Sequence, residues 1–301
     1  MTRKLTALAV VFILFSCGEN EKTRNVDNSL TEFSNYYSDP ISEKMYSQQV
    51  QDTYKLFKAT PGGYGNDSTR KYPLIIILDA NAFFESTVSE LKFSTFTGLI
   101  PKSIVIGVGY KDFQTMDSLR SRDYTYPTAI PEYEMTLSGG AKKFKRFVDE
   151  ELIPKLTREY KIDIDRSVIC GHSLGGYFTL YYGLKSIEEN SFTIKNIVSA
   201  SPSLDYNHRY LFEMERNFSK PTNDVPLNFY ISMGSEDMAD GESKGILDSF
   251  EKQISDRNYK GLRIKKAEYS NFGHIDAAIP GFIKGLAYLF EKQMEQRHDP
   301  Q

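Results

Sequence analysis

A short turn near the middle of this 301-residue chain restricts its fold more than any other feature. The mainly apolar run at residues 167–170 leads directly into Gly-His-Ser-Leu-Gly at residues 171–175, and residues 177–184 follow with the apolar content of a buried helix. At such a strand-to-helix corner, the glycines are needed because a side chain there would collide with the neighbouring backbone. The pattern predicts a sharp bend that holds the Ser173 hydroxyl beyond the end of a buried strand.

Apolar runs and helical periodicity alternate along the rest of the chain. Residues 73–78 form the most continuously apolar run after the N-terminal region, as in a strand buried on both faces. The pattern predicts further strands at residues 46–60, 103–110, 196–200, 225–234 and 262–269, and helices at residues 141–160, 242–257 and 278–296. This alternation favours an α/β fold with a mainly parallel central sheet and helices on both faces, so catalytic loops gather at the carboxyl ends of the strands.

A serine in such a turn needs a base to accept its proton, and the chain has four histidines. His172 lies within the turn, where its ring would point away from the hydroxyl, His208 lies in a charged loop, and His298 lies in the polar C-terminal tail. His274 is on a short loop between a predicted strand and the last predicted helix, which is where this architecture presents its base. Elimination therefore pairs Ser173 with His274. The alternatives are a solvated serine in a glycine-rich turn and a surface histidine.

The base in turn needs an acid to orient it. The predicted strand at residues 225–234 runs into a loop that holds Glu236 and Asp237. Either carboxylate would give the chain order serine, acid, histidine that is typical of α/β-hydrolases. Asp237 is preferred because it stands three residues after Gly234, and Glu236 is the alternative. A third possibility is a serine–histidine pair without an acid.

Two backbone amides are expected to stabilise the oxyanion of such a reaction. The Leu174 amide follows the serine at the N-terminal end of the predicted helix, where its N–H points toward a developing negative charge. The second amide is expected in the loop after residues 73–78. Asn81 is the preferred donor there, and Ala80 is the alternative.

Six segments of the chain, taken together, resemble the putative-esterase family of the α/β-hydrolase superfamily. This family includes enterochelin and salmochelin esterases, feruloyl esterases and relatives of S-formylglutathione hydrolase. The resemblance runs from about residue 46 to about residue 290 and is carried by residues 72–81, 104–110, 122–125, 139–154, 171–176 and 199–204. It implies an α/β-hydrolase fold and places the residues chosen above in the family's catalytic roles, with Ser173 as nucleophile and His274 as base.

The chain departs from the family pattern at two places. Asp79-Ala80 stands where the family usually has Asp-Gly, next to an expected oxyanion amide. Asp205-Tyr206 stands where many members have tryptophan, and this chain has no tryptophan at all. An aromatic platform for a catecholate ligand is therefore expected to be weaker than in the siderophore esterases.

Residues 111–138 lack clear periodicity and are rich in tyrosine and proline. Together with residues 204–221, they are expected to form the wall of a substrate pocket, or else to pack their tyrosines on the sheet edge. Arg122 and Tyr124 are the candidate substrate-binding residues here. Arg122 would clamp a carboxylate or phenolate, unless it forms an ion pair with Asp123 instead.

The leading functional hypothesis is hydrolysis of a carboxylic ester through an acyl-enzyme. Candidate substrates are a siderophore trilactone, an acyl or feruloyl group on a polysaccharide, and a small thioester. One alternative is acyl transfer to an alcohol on the same fold. Another is a lipid-anchored binding protein without turnover.

The N-terminus predicts export and lipid attachment. Two basic residues precede an eleven-residue apolar stretch, residues 5–15, which is too short to span a bilayer and suits a signal peptide at residues 1–16. Leucine three positions before Cys17 and serine directly before it resemble a bacterial lipobox. Residues 17–40 are polar and predict a flexible tether. Because Gly18 replaces the aspartate that retains many lipoproteins in the inner membrane, we expect the outer membrane.

Length, composition and charge bear on the size of the domain and on which partners and cofactors are expected. Residues 41–301 are long enough for one large catalytic domain, with 40% hydrophobic and 26% charged residues in the chain as a whole. The net charge of −3 and the absence of a basic cluster give no support to a nucleic-acid partner. No cysteine or histidine spacing suggests a metal, and no cofactor is expected.

Overall fold

The computed structural model describes residues 35–218, 224–237 and 242–298. The expected signal peptide, Cys17 and the tether up to residue 34 lie outside these residues. The domain begins before residue 41, since Tyr37 is buried and pairs with Pro61. Within the described residues, no helix is both long enough and apolar enough to cross a membrane.

Eight strands form one sheet within the described residues. They are β1 (Ile41–Ser47), β2 (Asp52–Ala59), β3 (Tyr72–Ile77), β4 (Ile104–Gly109), β5 (Ile162–His172), β6 (Asn196–Ala200), β7 (Asn228–Gly234) and β8 (Arg263–Tyr269). The strand order is β1-β2-β4-β3-β5-β6-β7-β8, with β1 and β2 antiparallel to their neighbours and all the other pairs parallel. The carboxyl ends of β3 to β8 therefore lie along one edge of the sheet.

The helices cover both faces of this sheet. They are α1 (Ala80–Phe96), α2 (Phe113–Tyr124), α3 (Ala141–Arg146), α4 (Ile153–Glu159), α5 (Leu174–Glu189), α6 (Tyr206–Arg216), α7 (Glu242–Asp256) and α8 (Ala278–His298). A π-helical segment, Phe147–Leu152, joins α3 to α4. This arrangement confirms the predicted α/β-hydrolase fold with a mainly parallel sheet.

Two hydrophobic cores lie on opposite faces of the sheet. The alternation of side chains along β3 places Leu74 and Ile76 in the core under α2 to α7, and Ile75 and Ile77 in the core under α1 and α8. All six residues of β3 are buried, as the continuous apolar run predicted. A central strand of this kind fixes the positions of the loops at its carboxyl end.

The structure differs from the sequence-based expectation in two segments. The sequence predicts one strand at residues 46–60, whereas these residues form the end of β1, a turn that contains Gln51 at a φ of 62°, and the antiparallel strand β2. Residues 111–138 contain α2, although they lack helical periodicity. Asp112 caps α2 by accepting from Thr115 N–H at 2.8 Å, and the helix buries few residues, so its apolar pattern is weak.

Candidate active site

Ser173 occupies a strained turn between β5 and α5. Its φ of 59° and ψ of −120° are costly for a residue with a side chain. A Cβ atom on Gly171 would lie 2.2 Å from Gly175 O, so this turn requires glycine at residue 171. The Ser173 N–H donates to Ala200 O at 3.0 Å, which ties the turn to the end of β6. The tight turn predicted from the sequence is present.

The structure brings His274 and Asp237 together at the same edge of the sheet. His274 Nδ1 lies 3.0 Å from Asp237 Oδ2 and 3.2 Å from Asp237 Oδ1. The loops after β7 and β8 can approach this closely because residue 234 is glycine, where a Cβ atom would lie 2.1 Å from Phe272 O. Glu236, the alternative acid, is exposed and makes no hydrogen bond to His274 within the described residues.

The unpaired atoms of the site suit proton transfer. His274 is partly exposed and is held through Nδ1, and its Nε2 has no hydrogen-bond partner among the described residues. The Ser173 hydroxyl is also without a partner within that part of the chain. Contacts between catalytic groups are often looser without substrate than with it.

His172 joins the serine turn to the histidine loop. Its side chain is 3% exposed, and its Nε2 donates to His274 O at 2.7 Å. The rings of His172 and His274 lie 4.8 Å apart, and Phe83 packs edge-on against His172. Burial lowers the pKa of His172 to about 4, so this imidazole is neutral at pH 7. The residue next to Ser173 therefore positions the backbone of His274.

Because His172 is buried in its neutral form, we expect the folded protein to lose stability in acid. The folded pKa of about 4 lies below the unfolded value of about 6.5, so the unfolded chain binds more protons between these two values. The free energy of unfolding that depends on neutral His172 is therefore fully present above about pH 6.5, and it is lost as the pH falls toward 4. From pH 7 to pH 4.5, urea titrations should show that wild type loses about 2–3 kcal/mol more unfolding free energy than His172→Gln. Equal losses in the two proteins would contradict this assignment.

Helix α1 begins beside the serine turn. A Cβ atom on Gly175 would lie 3.1 Å from Asp79 Oδ2, so the first turns of α1 and α5 lie against each other. Asp79 turns the chain into α1 with a φ of 51°, and Ala82 N–H donates to Asp79 O at 2.9 Å. The amides of Ala80 and Asn81 precede this first helical hydrogen bond, so both are placed to bind an anion.

The side chain of Asn81 anchors the start of α1. Its Nδ2 donates to Tyr110 O at 3.0 Å, and its Oδ1 accepts from Tyr110 N–H at 2.7 Å. These two bonds tie α1 to the end of β4. The backbone amides at the start of α1 are thereby held in position.

Arg120 links the two loops that carry the candidate oxyanion amides, and local sequence did not reveal it. Its Nε and Nη2 donate to the buried Asp79 carboxylate at 3.2 and 2.9 Å, and Nη2 also donates to His172 O at 3.2 Å. A buried carboxylate needs a partner of this kind. In the sequence, Arg120 is one of several basic residues in a polar segment, and only the folded chain brings it to Asp79.

The structure does not bring Arg122 and Tyr124 to the substrate face. Arg122 pairs with Asp123 through Nε at 2.7 Å and Nη2 at 3.0 Å, and with Asp52 through Nη1 at 2.7 Å. Tyr124 is fully buried, and its hydroxyl accepts from Asp79 N–H at 3.2 Å. The expectation that these two residues bind substrate is therefore corrected: Arg122 is committed to the ion pairs, and Tyr124 supports the start of α1.

Tyrosines from residues 126–133 and from α6 pack together as a wall of rings. Tyr133 stacks on Tyr206 with ring centroids 5.4 Å apart, and Tyr126 packs against Tyr210 at 5.7 Å. Tyr206 is buried, whereas the other three are partly exposed. Some of these rings therefore support the fold, while others remain partly accessible to solvent. Within the described residues, no cluster of side chains is suited to hold a metal.

Comparison with known proteins identifies the family. The family model described as "Putative esterase" matches residues 47–259. The chain is 30% identical over 273 residues to ferri-bacillibactin esterase BesA of Bacillus subtilis, covering 84% of this chain and 91% of that protein. It is 28% identical over 237 residues to the apo-salmochelin esterase of Escherichia coli, covering 73% of this chain and 70% of that protein.

Solved structures agree in fold. The BES protein from Bacillus cereus superposes with a TM-score of 0.72 at 24% identity, covering 84% of this chain and 95% of that one. The strained serine, the aspartate–histidine contact and the sheet topology occur here in a chain that matches the family model over most of its length. The chain therefore belongs to the putative-esterase family of α/β-hydrolases and is a carboxylic ester hydrolase.

Proposed function

We propose that the chain hydrolyses esters through a Ser173–His274–Asp237 triad. The observation that carries this proposal is the 3.0 Å contact of Asp237 with His274 Nδ1, which leaves Nε2 free to act as a base. The bond from His172 to His274 O supports it, because that bond holds the base loop against the residue that precedes Ser173.

The reaction would proceed in two halves. Ser173 Oγ attacks the ester carbonyl while His274 Nε2 takes its proton, and the same proton passes to the departing alcohol as the carbon–oxygen bond breaks. Water then attacks the acyl-serine, His274 accepts the proton of that water, and Ser173 regains a proton as the acid leaves. Asp237 orients the imidazole and stabilises its cationic form in both halves.

Backbone amides would hold the oxyanion in each half. The Leu174 amide lies at the N-terminus of α5, and the amide of Asn81, or that of Ala80, lies at the N-terminus of α1. The two helix starts lie against each other, and the positive ends of both helix dipoles would favour negative charge there. The Arg120–Asp79 pair would keep these two helix starts in register.

We infer that the substrate is an ester of the siderophore type. Two relatives that align with most of this chain are named as esterases of ferri-bacillibactin and apo-salmochelin. The partly exposed rings of Tyr126, Tyr133 and Tyr210 offer apolar faces that would suit an aromatic acyl group. A tyrosine wall would then serve in a chain that has no tryptophan.

A substrate panel tests this inference. We expect kcat/KM for ferri-bacillibactin or apo-salmochelin to exceed that for p-nitrophenyl butyrate, a feruloyl ester and a short thioester by about tenfold or more, equivalent to about 1.4 kcal/mol of transition-state binding. Product analysis with an added alcohol acceptor should show free acid and no transferred acyl group. A preference for the feruloyl ester, or an acylated acceptor, would contradict the proposal.

We further propose that residues 1–16 are a signal peptide and that the mature protein is attached to the bacterial outer membrane by lipid on Cys17. The support is the sequence of the leader and of the residues around Cys17. The catalytic domain would then act in the cell envelope on a small-molecule ester.

A further inference from the structure

An apolar surface lies at the end of α1, away from the serine turn. Phe93 and Phe96 are 52% and 55% exposed, and Leu99 in the following turn is 49% exposed. A shallow groove of about 360 Å³ continues from Phe93 and Leu99 toward the start of α8. The exit face is defined by Tyr36, Phe93, Phe96, Leu99, Ile279 and Pro280. Phe93, Phe96 and Leu99 are exposed, whereas Tyr36, Ile279 and Pro280 are partly buried. Exposed apolar residues grouped in this way mark a surface for interaction.

The N-terminal part of the chain joins the domain at this surface. Tyr36, the second described residue, packs edge-on against Phe96 with ring centroids 5.6 Å apart. Tyr37 is buried, so the chain is fixed to the domain from this point onward. Seventeen residues, 18–34, lie between Cys17 and Asn35, and a chain of that length reaches at most about 60 Å. A lipid on Cys17 would thus keep a bilayer within about 60 Å of the exit face, where the chain enters the domain.

Basic side chains border the exit face. Lys102 Nζ lies 5.7 Å above the ring of Tyr36 and donates to Gly62 O. Lys284 is exposed at the groove, where Glu90 is the acidic residue of the lining. Lysines at the rim of an apolar surface can keep their methylene groups against it while the ammonium groups reach lipid head groups.

We propose that the exit face rests on the surface of a lipid bilayer. This inference depends on the proposed lipid anchor but not on the esterase mechanism. Helix α1 begins at Ala80 beside the serine turn and ends at Phe96, and sixteen residue steps of helix span about 24 Å. The active-site mouth would therefore face the aqueous side, where a soluble ester can enter it.

The absence of tryptophan makes a direct test possible. The variant Phe96→Trp carries a single tryptophan on the exit face, and Phe113→Trp carries one at a residue that is 62% exposed at the start of α2. Both are purified as the full lipoprotein with acylated Cys17 shown by intact mass, and are reconstituted into phosphatidylcholine–phosphatidylglycerol vesicles with or without brominated acyl chains. The residue-96 reporter should shift to the blue and lose most of its emission in brominated vesicles, whereas the residue-113 reporter should change little.

Three outcomes would overturn this inference. The first is equal quenching, or no quenching, at the two reporters. The second is a blue shift at residue 96 without bromine quenching, which would mean that another protein copy covers the exit face. The third is a mature chain without lipid on Cys17, which would remove the anchor while leaving the esterase proposal intact. Retained hydrolysis of an activated ester by both variants checks that they are folded.

Discussion

Replacing Ser173 with alanine is expected to lower kcat on an activated ester by about 10⁶-fold, because the oxygen that forms the acyl-enzyme is removed. The strained φ of 59° at this residue indicates that the fold holds the hydroxyl at a cost. Release of p-nitrophenol measures the rate. A fluorophosphonate probe, which reacts with an activated serine, should label wild type and leave Ser173→Ala unlabelled.

Ser203 provides the matched control for this experiment. It lies next to the turn, and its N–H donates to Ser173 O at 3.3 Å, a backbone bond that alanine would retain. Ser203→Ala should therefore keep both probe labelling and turnover near wild type. Labelling that survives in Ser173→Ala would place the nucleophile elsewhere, and an unlabelled wild type would favour a binding protein.

Replacing Asp237 with asparagine is expected to lower kcat by about 10⁴-fold, because an amide cannot stabilise the imidazolium or hold the same tautomer of His274. This expectation rests on the 3.0 Å contact between Asp237 Oδ2 and His274 Nδ1. Initial rates at saturating substrate separate this loss of kcat from any change in KM.

A variant of the neighbouring carboxylate, Glu236, tests whether Asp237 alone acts as the acid of the triad. Glu236 is exposed, and its N–H donates to Phe272 O at 3.0 Å, so Glu236→Gln preserves the loop and removes only a surface charge. We expect less than about a threefold change for this variant, as is usual for an exposed carboxylate. A large loss in Glu236→Gln would reverse the assignment. Small losses in both variants would support a serine–histidine pair that works without an acid.

Some features could be predicted because they follow from short stretches of sequence. The turn at residues 171–175 needs its glycines for steric reasons that act within a few residues, and the structure shows this turn. The continuous apolar run at residues 73–78 predicts a strand covered on both faces, and the buried strand β3 (Tyr72–Ile77) covers most of it. Elimination among the four histidines selects His274 as the candidate base, and the structure places the Asp237 carboxylate 3.0 Å from its Nδ1.

Other features arise from partners that are distant in the chain. The sequence presents Arg122 as a candidate substrate ligand, whereas the folded chain places Asp52, seventy residues away, against its guanidinium. Arg120 is one of several basic residues in a polar segment, and its two acceptors, Asp79 and His172, lie 41 and 52 residues away in the chain. Local patterns carry no information about such pairs.

By itself, the sequence determined the α/β class, the serine turn and the order of the candidate catalytic residues, because periodicity, glycine sterics and chain order are local or one-dimensional properties. Only the tertiary structure decided which carboxylate contacts His274 and that the buried His172 side chain donates a hydrogen bond to the His274 carbonyl oxygen. It also decided that the aromatic residues at the end of α1 lie exposed where the chain enters the domain. Those outcomes depend on how parallel strands and helices distant in sequence pack against each other, and packing is settled by the whole chain at once.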